Sequence, residues 1–261
     1  MQSLVLPGTD LTVSRLSLGT ASLLSAGSRR NRDAVIGAAL DAGFTHFDTA
    51  PLYGFGNAER DLGRVIGNRA DCTVATKVGL RSPGGDDQSA VGAVLRKAAG
   101  KAIPALSAAQ ADFALAWARR SLEGSLRRLR RDAIDIYLLH EPELALIDHD
   151  GWLRWLEDVK TQGKVRHFGL AVLADRAAPF LDRASPLCEV LQLSDSVPGH
   201  EADVLNGHDR EMQITFGYIR GSADLSPMQA LAAGLARNRT GSVIYGTRKP
   251  ERLAAAAELA R

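Results

Sequence analysis

Short apolar runs alternate with longer segments of amphipathic pattern along nearly the whole chain. Eight runs of five to seven residues, rich in β-branched and other apolar side chains, are predicted to be strands. These are Leu16–Ala21, Thr45–Ala50, Thr73–Val78, Ile134–His140, Val165–Ala171, Glu189–Ser194, Gln213–Ile219 and Ser242–Gly246. Such nearly unbroken apolar runs are typical of strands that are covered on both faces, as in parallel sheets.

Segments with helical periodicity follow nearly every predicted strand. The predicted helices are Arg30–Ala42, Ala58–Ile66, Ala108–Leu129, Asp150–Gln162, Asp175–Arg183, Pro227–Ala236 and Pro250–Leu259. An extra helix is predicted at Ala90–Ala102, after a glycine-rich loop, whereas His200–Gly207 has room for a short helix only.

This alternation predicts the fold class. Strand–helix units imply an α/β fold with a parallel sheet and right-handed crossovers. Eight units in about 250 residues fit a closed (β/α)₈ TIM barrel. An open, doubly wound sheet is the alternative, but no GxGxxG motif follows a strand. Because no linker or shift of composition divides the chain, we predict one domain spanning residues 1–261.

Composition and charge narrow the class of protein. Hydrophobic residues make up 45% of the 261 and charged residues 24%, as in globular proteins. A balance of 32 basic against 30 acidic residues argues against a nucleic-acid binder, and the basic run at 127–131 suits a helix end. Two cysteines are too few for a disulfide framework. With no apolar run long enough for a membrane span and no signal peptide, we expect a cytoplasmic protein that does not bind membranes.

Four polar residues stand at or just beyond the C-terminal ends of three successive predicted strands. They are Asp48, Tyr53, Lys77 and His140. Each alone has a structural explanation, such as a turn aromatic or a packed histidine. Active sites of this kind of barrel lie at the C-terminal ends of the strands, so we expect the four side chains to meet there.

The four side chains together suit proton transfer to a carbonyl or an alcohol. A tyrosine has a pKa of about 10, and a neighbouring ammonium group lowers that value by favouring the phenolate. A carboxylate can hold the ammonium in place, and a histidine can orient a substrate oxygen. The set lacks the character of a metal site, so we predict no metal.

Several segments carry a resemblance to a known family. One contains Asp48 and Tyr53 and reads GFTHFDTAPLYGFGNAERDLGRVI; others are ATK, ending at Lys77, and SLEGSLRRLRRDAIDIYLLH, ending at His140. With PGTDLTVSRLSLGT near the N-terminus and SVIYGTRKPERL near the C-terminus, they resemble the aldo-keto reductases over nearly the whole chain. DTAPLYGFG is most similar to the sugar and pyridoxal dehydrogenase branch. The resemblance implies a TIM barrel that begins with a short N-terminal β-hairpin.

The resemblance also implies a reaction, in which a hydride passes between NADPH and a small carbonyl or sugar substrate; NADH is possible. It makes Tyr53 the general acid–base, Lys77 and Asp48 the groups that tune it, and His140 the residue that positions the carbonyl. The residues implied to bind the cofactor are Gly19, Thr20, Asp48, Gln192, Phe216, Ile219, Gly221, Thr247, Arg248 and Arg252. It leaves the oligomeric state open, with a monomer as one option.

Some positions depart from the family pattern. The fifth strand continues as Leu170–Leu173, without the Ser-Asn or Val-Asn pair that holds the nicotinamide carboxamide in relatives. Each lost hydrogen bond is worth about 0.5–1.5 kcal/mol, up to roughly tenfold in affinity. Ala21 and Ala255–Ala256 replace further family side chains. Because the sequence ends at Arg261, directly after the last predicted helix, we expect an open, shallow pocket.

Two other functions stay open on the sequence. One is a barrel of this family that binds cofactor or a partner without useful turnover, which the missing amide pair favours. The complete set of Asp48, Tyr53, Lys77 and His140 argues against it, because a pure binding protein does not need all four. The other is a barrel lyase or isomerase, for which the sequence supplies no better set of residues.

Overall fold

Eight parallel strands close into a barrel in the computed structural model, which describes residues 1–261. The strands of the chain are β1 Ser3–Val5, β2 Thr12–Ser14, β3 Leu16–Gly19, β4 His46–Asp48, β5 Thr73–Val78, β6 Leu80–Arg81, β7 Gln110–Ala111, β8 Ile134–His140, β9 Val165–Val172, β10 Val190–Ser194, β11 Ile214–Phe216 and β12 Ser242–Tyr245. Around the barrel the order is β3–β4–β5–β8–β9–β10–β11–β12, and β12 pairs with β3. The predicted TIM barrel is confirmed.

Helices surround the barrel. They are α1 Arg29–Asp41, α2 Asn57–Val65, α3 Ala90–Ala99, α4 Leu115–Leu129, α5 His149–Thr161, α6 Ala174–Asp182, α7 Tyr218–Gly221, α8 Pro227–Arg237 and α9 Glu251–Glu258. Their inner faces and the outward faces of the strands form a continuous core of 45 buried residues. None of the helices is both long enough and apolar enough to cross a lipid bilayer.

An antiparallel hairpin of β1 and β2 closes the N-terminal end of the barrel, as the family resemblance implied. Leu6, Leu11 and Val13 of this hairpin are fully buried, and they pack with small and medium apolar side chains that point into the barrel. The Gln213 side-chain amide donates to the Pro7 carbonyl oxygen at 2.7 Å, which links the hairpin to the residue that precedes β11. The lower end is therefore filled, and the C-terminal end is the open one.

One helix boundary differs from the prediction. The helix predicted at 108–129 begins at Leu115, because Gln110 and Ala111 pair instead with β6 as a second, two-stranded sheet. The Asp112 carboxylate then accepts from the Ala114 backbone N–H at 3.2 Å, a local turn that competes with the helix. The charged, alanine-rich composition of the segment concealed this pairing.

The strand predicted at 213–219 is also shorter. It ends at Phe216, because Gly217 has a φ of 109° and turns the chain into the single turn of α7. The segment before this strand holds only a 3-10 helix, Glu201–His208, in agreement with the predicted short helix. The barrel thus lacks an α-helix between β10 and β11, and this part of its upper rim is built from loops.

Candidate active site

The four residues that the sequence singled out lie together at the open end of the barrel. Asp48 ends β4, Lys77 lies near the end of β5, His140 ends β8, and Tyr53 lies in the loop after β4. All four line one cavity of about 780 Å³. The predicted convergence is therefore present in the structure.

A tight turn holds Tyr53 in place. Its backbone N–H donates to the Ala50 carbonyl oxygen at 3.0 Å, and Gly54–Gly56 all have positive φ values between 57° and 85°. Gly56 also passes close to another loop, since a Cβ atom there would lie 1.7 Å from the Asp86 carbonyl oxygen. Glycine at positions 54 and 56 thus fits the backbone geometry of the turn, whereas Phe55 has a positive φ that is rare for a residue other than glycine.

A buried ion pair lies beneath the tyrosine ring. The Lys77 ammonium Nζ lies 2.5 Å from Asp48 Oδ1 and donates to the Thr49 carbonyl oxygen at 2.9 Å. The same Nζ lies 4.9 Å from the centroid of the Tyr53 ring. Lys77 and Asp48 are almost completely buried, so water screens their mutual attraction and their effect on Tyr53 only weakly.

Burial and ion pairing shift the pKa values of Lys77 and Asp48 in opposite directions. Burial lowers the pKa of Lys77, but the Asp48 carboxylate and the Tyr53 hydroxyl outweigh it and hold that pKa above its ordinary value. Burial raises the pKa of Asp48, and Lys77 opposes the rise. The lysine is consequently a stable cation beside the phenol.

Tyr53 stays protonated at neutral pH. Burial raises the pKa of its hydroxyl above the ordinary value, and the Lys77 ammonium only partly offsets this rise. The sequence argument from the ammonium alone gave the opposite net direction, because it did not include the burial of the ring. The side chain is a neutral proton donor whose phenolate would form next to a cation.

His140 is a neutral imidazole. Burial, reinforced by the charge of Lys77, lowers its pKa to about 3. Its ring lies edge-on to the Tyr53 ring, with centroids 6.1 Å apart and an interplanar angle of 86°. A neutral imidazole with one N–H can donate a hydrogen bond to a substrate oxygen without competing for the tyrosine proton.

Several residues expected to bind the cofactor line the other side of the same cavity. They are Gly19, Gln192, Phe216, Ile219 and Gly221. The side-chain oxygen Oε1 of Gln192 is buried and accepts no hydrogen bond from the chain. A buried acceptor without a donor is costly, and the NH₂ group of a nicotinamide carboxamide is a donor of the required kind. The site therefore fits the cofactor that the resemblance implied.

Four of the expected cofactor residues do not line the cavity. Thr20 is buried behind it, where its hydroxyl donates to the Asp48 carbonyl oxygen at 2.9 Å. Thr247 accepts from the Lys249 backbone N–H at 3.2 Å and shapes the turn before α9. Arg248 and Arg252 are exposed and form no salt bridge, and they follow Gly246, which lines the cavity, in the sequence. They are cations available at the N-terminal end of a helix.

A polar cluster on the cavity wall was not predicted from the sequence. Asp195, directly after β10, accepts from the Tyr218 hydroxyl at 2.6 Å and from Arg237 Nε at 2.8 Å. These contacts keep the pKa of Asp195 below its ordinary value despite burial, and they fix α7 against the rim. Its position just after a barrel strand was a usable signal, of the same kind that identified Asp48.

The absence of an amide pair after the fifth barrel strand is visible in the cavity. Ala171 and Leu173 line the wall at this point, and neither offers a side-chain hydrogen bond. The nearby Ser194 hydroxyl accepts from the backbone N–H of Ala174, the first residue of α6, at 3.0 Å. Gln192 is thus the one side-chain amide that lines the cavity.

Comparisons with known proteins identify the family. A sequence model of the Aldo/keto reductase family matches residues 15–176, more than half of the chain. The uncharacterized oxidoreductase YqkF of Bacillus subtilis (strain 168) is 24% identical over 235 residues, which cover 88% of this chain and 69% of that protein. Pyridoxal 4-dehydrogenase of Microbacterium luteolum is 26% identical, over 63% of this chain and 53% of its own length. D-threo-aldose 1-dehydrogenase of Pseudomonas sp is 33% identical, over 55% of this chain and 44% of that protein. The chain thus spans about half the length of the last two relatives.

Solved structures of low sequence identity share the fold. An aldo-keto reductase from Bacillus halodurans in its holo form superposes with a TM-score of 0.77 at 22% identity, covering 99% of this chain and 90% of that one. An aldo-keto reductase from Klebsiella pneumoniae in complex with NADPH gives a TM-score of 0.70 at 20% identity, with the same coverage. The barrel, its hairpin and the family match over residues 15–176 lead to one conclusion: this chain belongs to the aldo-keto reductase family.

Proposed function

We propose that this protein is an NAD(P)-dependent oxidoreductase that transfers a hydride between nicotinamide and a small carbonyl compound or alcohol. Aldehydes, ketones and aldoses are the substrate classes we expect. The observation that carries the proposal is the placement of Tyr53 over the Lys77–Asp48 ion pair, in a cavity that also holds His140 and the unpartnered oxygen of Gln192.

The cofactor supplies or accepts the hydride when it is bound. Gln192 would hold the nicotinamide carboxamide, and the aromatic ring of Phe216 would pack on the nicotinamide. Gly19, Ile219 and Gly221 line the same cavity. We favour NADPH over NADH, because Arg248 and Arg252 offer two unpaired guanidinium groups near a helix N-terminus, where a phosphate is bound well.

Tyr53 is the group that gives a proton to the substrate oxygen in reduction and removes it in oxidation. The negative charge left on the phenolate forms beside the Lys77 ammonium, which Asp48 holds in position. This arrangement stabilises the charge at the moment it appears, which is the form of electrostatic assistance that lowers a barrier. Proton transfer from a positioned side chain contributes about 10²–10⁴-fold to a rate.

His140 orients the substrate. Because its pKa is about 3, the imidazole is neutral and its N–H donates to the carbonyl oxygen. The oxygen then faces both the His140 ring and the Tyr53 hydroxyl, which lie on the same wall. We infer a positioning role for His140, whereas the exchanged proton belongs to Tyr53.

A second candidate function is cofactor binding without useful turnover, and the wall at Ala171 favours it. With no amide pair at this point, the nicotinamide loses one or two hydrogen bonds, each worth about tenfold in affinity at most. A titration of the protein with NADPH and NADH, followed by tryptophan fluorescence, distinguishes the candidates when combined with an assay of aldehyde reduction. Saturable quenching with turnover supports the oxidoreductase, and quenching without turnover supports the second candidate.

The same titration tests the phosphate contact. Arg252→Ala is expected to weaken NADPH by about tenfold, the usual effect of one charge-assisted hydrogen bond, and to leave NADH within about twofold. Arg239→Ala, an exposed arginine elsewhere on the surface, is the matched control. Equal losses for the two cofactors would reject a contact between Arg252 and the 2′-phosphate.

A further inference from the structure

A second cavity of about 510 Å³ adjoins the proposed active site. It lies between the small β6–β7 sheet, the loop after β8 and the start of α6, and we call it the side cavity. Glu141, the residue after His140, lines both the side cavity and the main one. A molecule whose carbonyl group lies at His140 and Tyr53 would therefore extend toward the side cavity past this carboxylate.

Glu141 is held in an unusual backbone conformation. Its φ is 55°, which is rare for a residue other than glycine. Its backbone N–H donates to the Ala171 carbonyl oxygen at 2.9 Å, which fixes the turn. Residues held in such conformations cluster at functional sites, where the position of a side chain outweighs the strain.

The Glu141 carboxylate has few partners of its own. Oε2 accepts from the Leu173 backbone N–H at 3.3 Å, Arg176 Nε lies 3.8 Å away, and Oε1 accepts no hydrogen bond from the chain. Its side chain is only 23% exposed. Burial raises the pKa of Glu141 above its usual range, as expected for a carboxylate short of donors. A ligand with hydrogen-bond donors would supply what is missing.

The side cavity has both charged and apolar walls: three charged side chains line it, Glu141, Glu143 and Arg176, and five apolar ones, Leu80, Ala111, Phe113, Ala114 and Leu146. Arg176 Nη1 donates to the Glu141 carbonyl oxygen at 3.2 Å and lies 3.6 Å from Glu143 Oε1, whereas Arg176 Nη2 donates to no group of the chain and is available. The Phe113 ring lines the same cavity and is held edge-on by Trp152, with centroids 6.3 Å apart. A hydroxyl group both donates and accepts, so a chain of hydroxyls matches this mixture, whereas an alkyl chain would desolvate two carboxylates without compensation.

From this geometry we infer that the side cavity binds the polyhydroxylated end of the substrate, and that Glu141 selects hydroxylated carbonyl compounds over alkyl ones. The inference rests on the proposed oxidoreductase function. Glu141 accepts hydrogen bonds from hydroxyls beyond the reacting carbon, Arg176 donates to others, and the C–H face of the chain packs on Phe113.

The test compares carbonyl substrates of equal carbon number with saturating NADPH. The aldoses glyceraldehyde, erythrose and xylose are paired with propanal, butanal and pentanal. Glu141→Ala is expected to lower kcat/KM for xylose by about tenfold or more, mainly through KM, because a charge-assisted hydrogen bond is lost. Propanal, too short to reach the side cavity, is expected to change by less than about twofold. Glu157→Gln, an exposed glutamate on α5, is the matched control.

A second variant avoids changing a charge. Ala111→Trp would fill the side cavity from the exposed strand β7 and is expected to reproduce the selective loss for xylose. Binding is also measured without turnover, since xylitol seated on Phe113 is expected to change the fluorescence of the adjoining Trp152, and Glu141→Ala is expected to weaken that response. Equal losses for aldoses and alkanals in both variants would overturn the inference. Absence of turnover with every carbonyl would instead refute the proposed function, so the two failures are distinguishable.

Discussion

At the residue scale, Lys77 neutralises a buried carboxylate, and in the proposed reaction it also stabilises the phenolate that forms on Tyr53. Its Nζ contacts Asp48 directly and faces the Tyr53 ring. A buried pair of charges contributes little net stability, but removal of one partner leaves the other charge unpaired in a medium of low dielectric constant. Stability and catalysis therefore respond differently to substitutions of the pair.

Lys77→Met is expected to lower kcat by about 10²–10⁴-fold and the free energy of unfolding by about 3–5 kcal/mol. The double variant Asp48→Asn/Lys77→Met removes the unpaired carboxylate and is expected to recover most of the stability but none of the activity. Urea unfolding and aldehyde reduction measure the two effects. Recovery of activity in the double variant would refute an electrostatic role of the ammonium.

Two histidines, the buried His46 and the half-buried His140, make stability depend on pH. The pKa values of His46 and His140 are both lowered to about 3, chiefly by burial, whereas in the unfolded chain they return to about 6.5. Between these values the unfolded chain binds more protons, so stability is complete above about pH 6.5 and falls as the pH decreases toward 3. The pKa of His167 is shifted upward by Glu189 and Asp10, and this residue acts in the opposite direction.

A comparison of the wild type with one variant measures the contribution of His140 to this pH dependence. The free energy of unfolding is measured for the wild type and for His140→Gln between pH 7 and pH 5, where carboxylates contribute least. Over this range we expect the wild type to lose about 2 kcal/mol more than the variant, because the slope approaches about 1.4 kcal/mol per pH unit only below the unfolded pKa of about 6.5. Parallel curves would show that His140 is protonated in the folded protein, which its assigned role does not allow.

At the scale of elements, the loop between β4 and α2 determines where Tyr53 lies. Gly56 has a φ of 85°, and its missing side chain leaves room for the Asp86 carbonyl oxygen of a neighbouring loop. Gly85 has almost the same φ, 87°, but faces open space. Substitutions at the two glycines therefore distinguish the effect of backbone strain from the effect of a steric clash.

Gly85→Ala is expected to cost only the strain of a left-handed conformation, about 1–2 kcal/mol, with kcat unchanged. Gly56→Ala adds a clash with a backbone atom, so we expect a larger loss of stability and a fall in kcat of at least tenfold, because Tyr53 moves with the turn. Thermal unfolding and steady-state kinetics check both. Equal effects of the two substitutions would argue against the loop as the element that positions Tyr53.

Helices and strands were predictable from the sequence where the burial of apolar side chains determines the pattern. Strands such as β8 and β5 read as apolar runs because both of their faces are covered, and the eight barrel strands all fall within or at the predicted segments. The short β6–β7 sheet was not predictable, because Gln110–Ala111 pairs through backbone hydrogen bonds and both residues are exposed. The sequence carries no hydrophobic signal for such a pairing.

At the scale of the whole molecule, the predicted barrel fold was enough to locate the site, but not to predict the pKa values of its residues. Asp48, Tyr53, Lys77 and His140 were identifiable because the C-terminal ends of barrel strands meet at one rim. The net direction of the Tyr53 pKa depends on how deeply the ring is buried, which no local pattern encodes. Asp195, Tyr218 and Glu141 were missed for a related reason, since their importance comes from partners distant in the sequence.

The upper rim of the barrel is more open than a rim with eight full helical units would be. Only the 3-10 helix Glu201–His208 lies between β10 and β11. We therefore expect contacts to the cofactor to depend on few residues, chiefly Gln192 and the chain around α7. Cofactor affinity is the property of the whole molecule that these features affect most.

The central claim is that Tyr53 moves a proton in a nicotinamide-dependent reaction, and one paired measurement tests it most directly. Wild type and Tyr53→Phe are compared for NADPH binding by tryptophan fluorescence and for NADPH consumption with an aldehyde. We expect equal dissociation constants, within about twofold, and a loss of turnover of at least about a hundredfold in the variant. Retained turnover in Tyr53→Phe, or no binding of NADPH to the wild type, would contradict the claim.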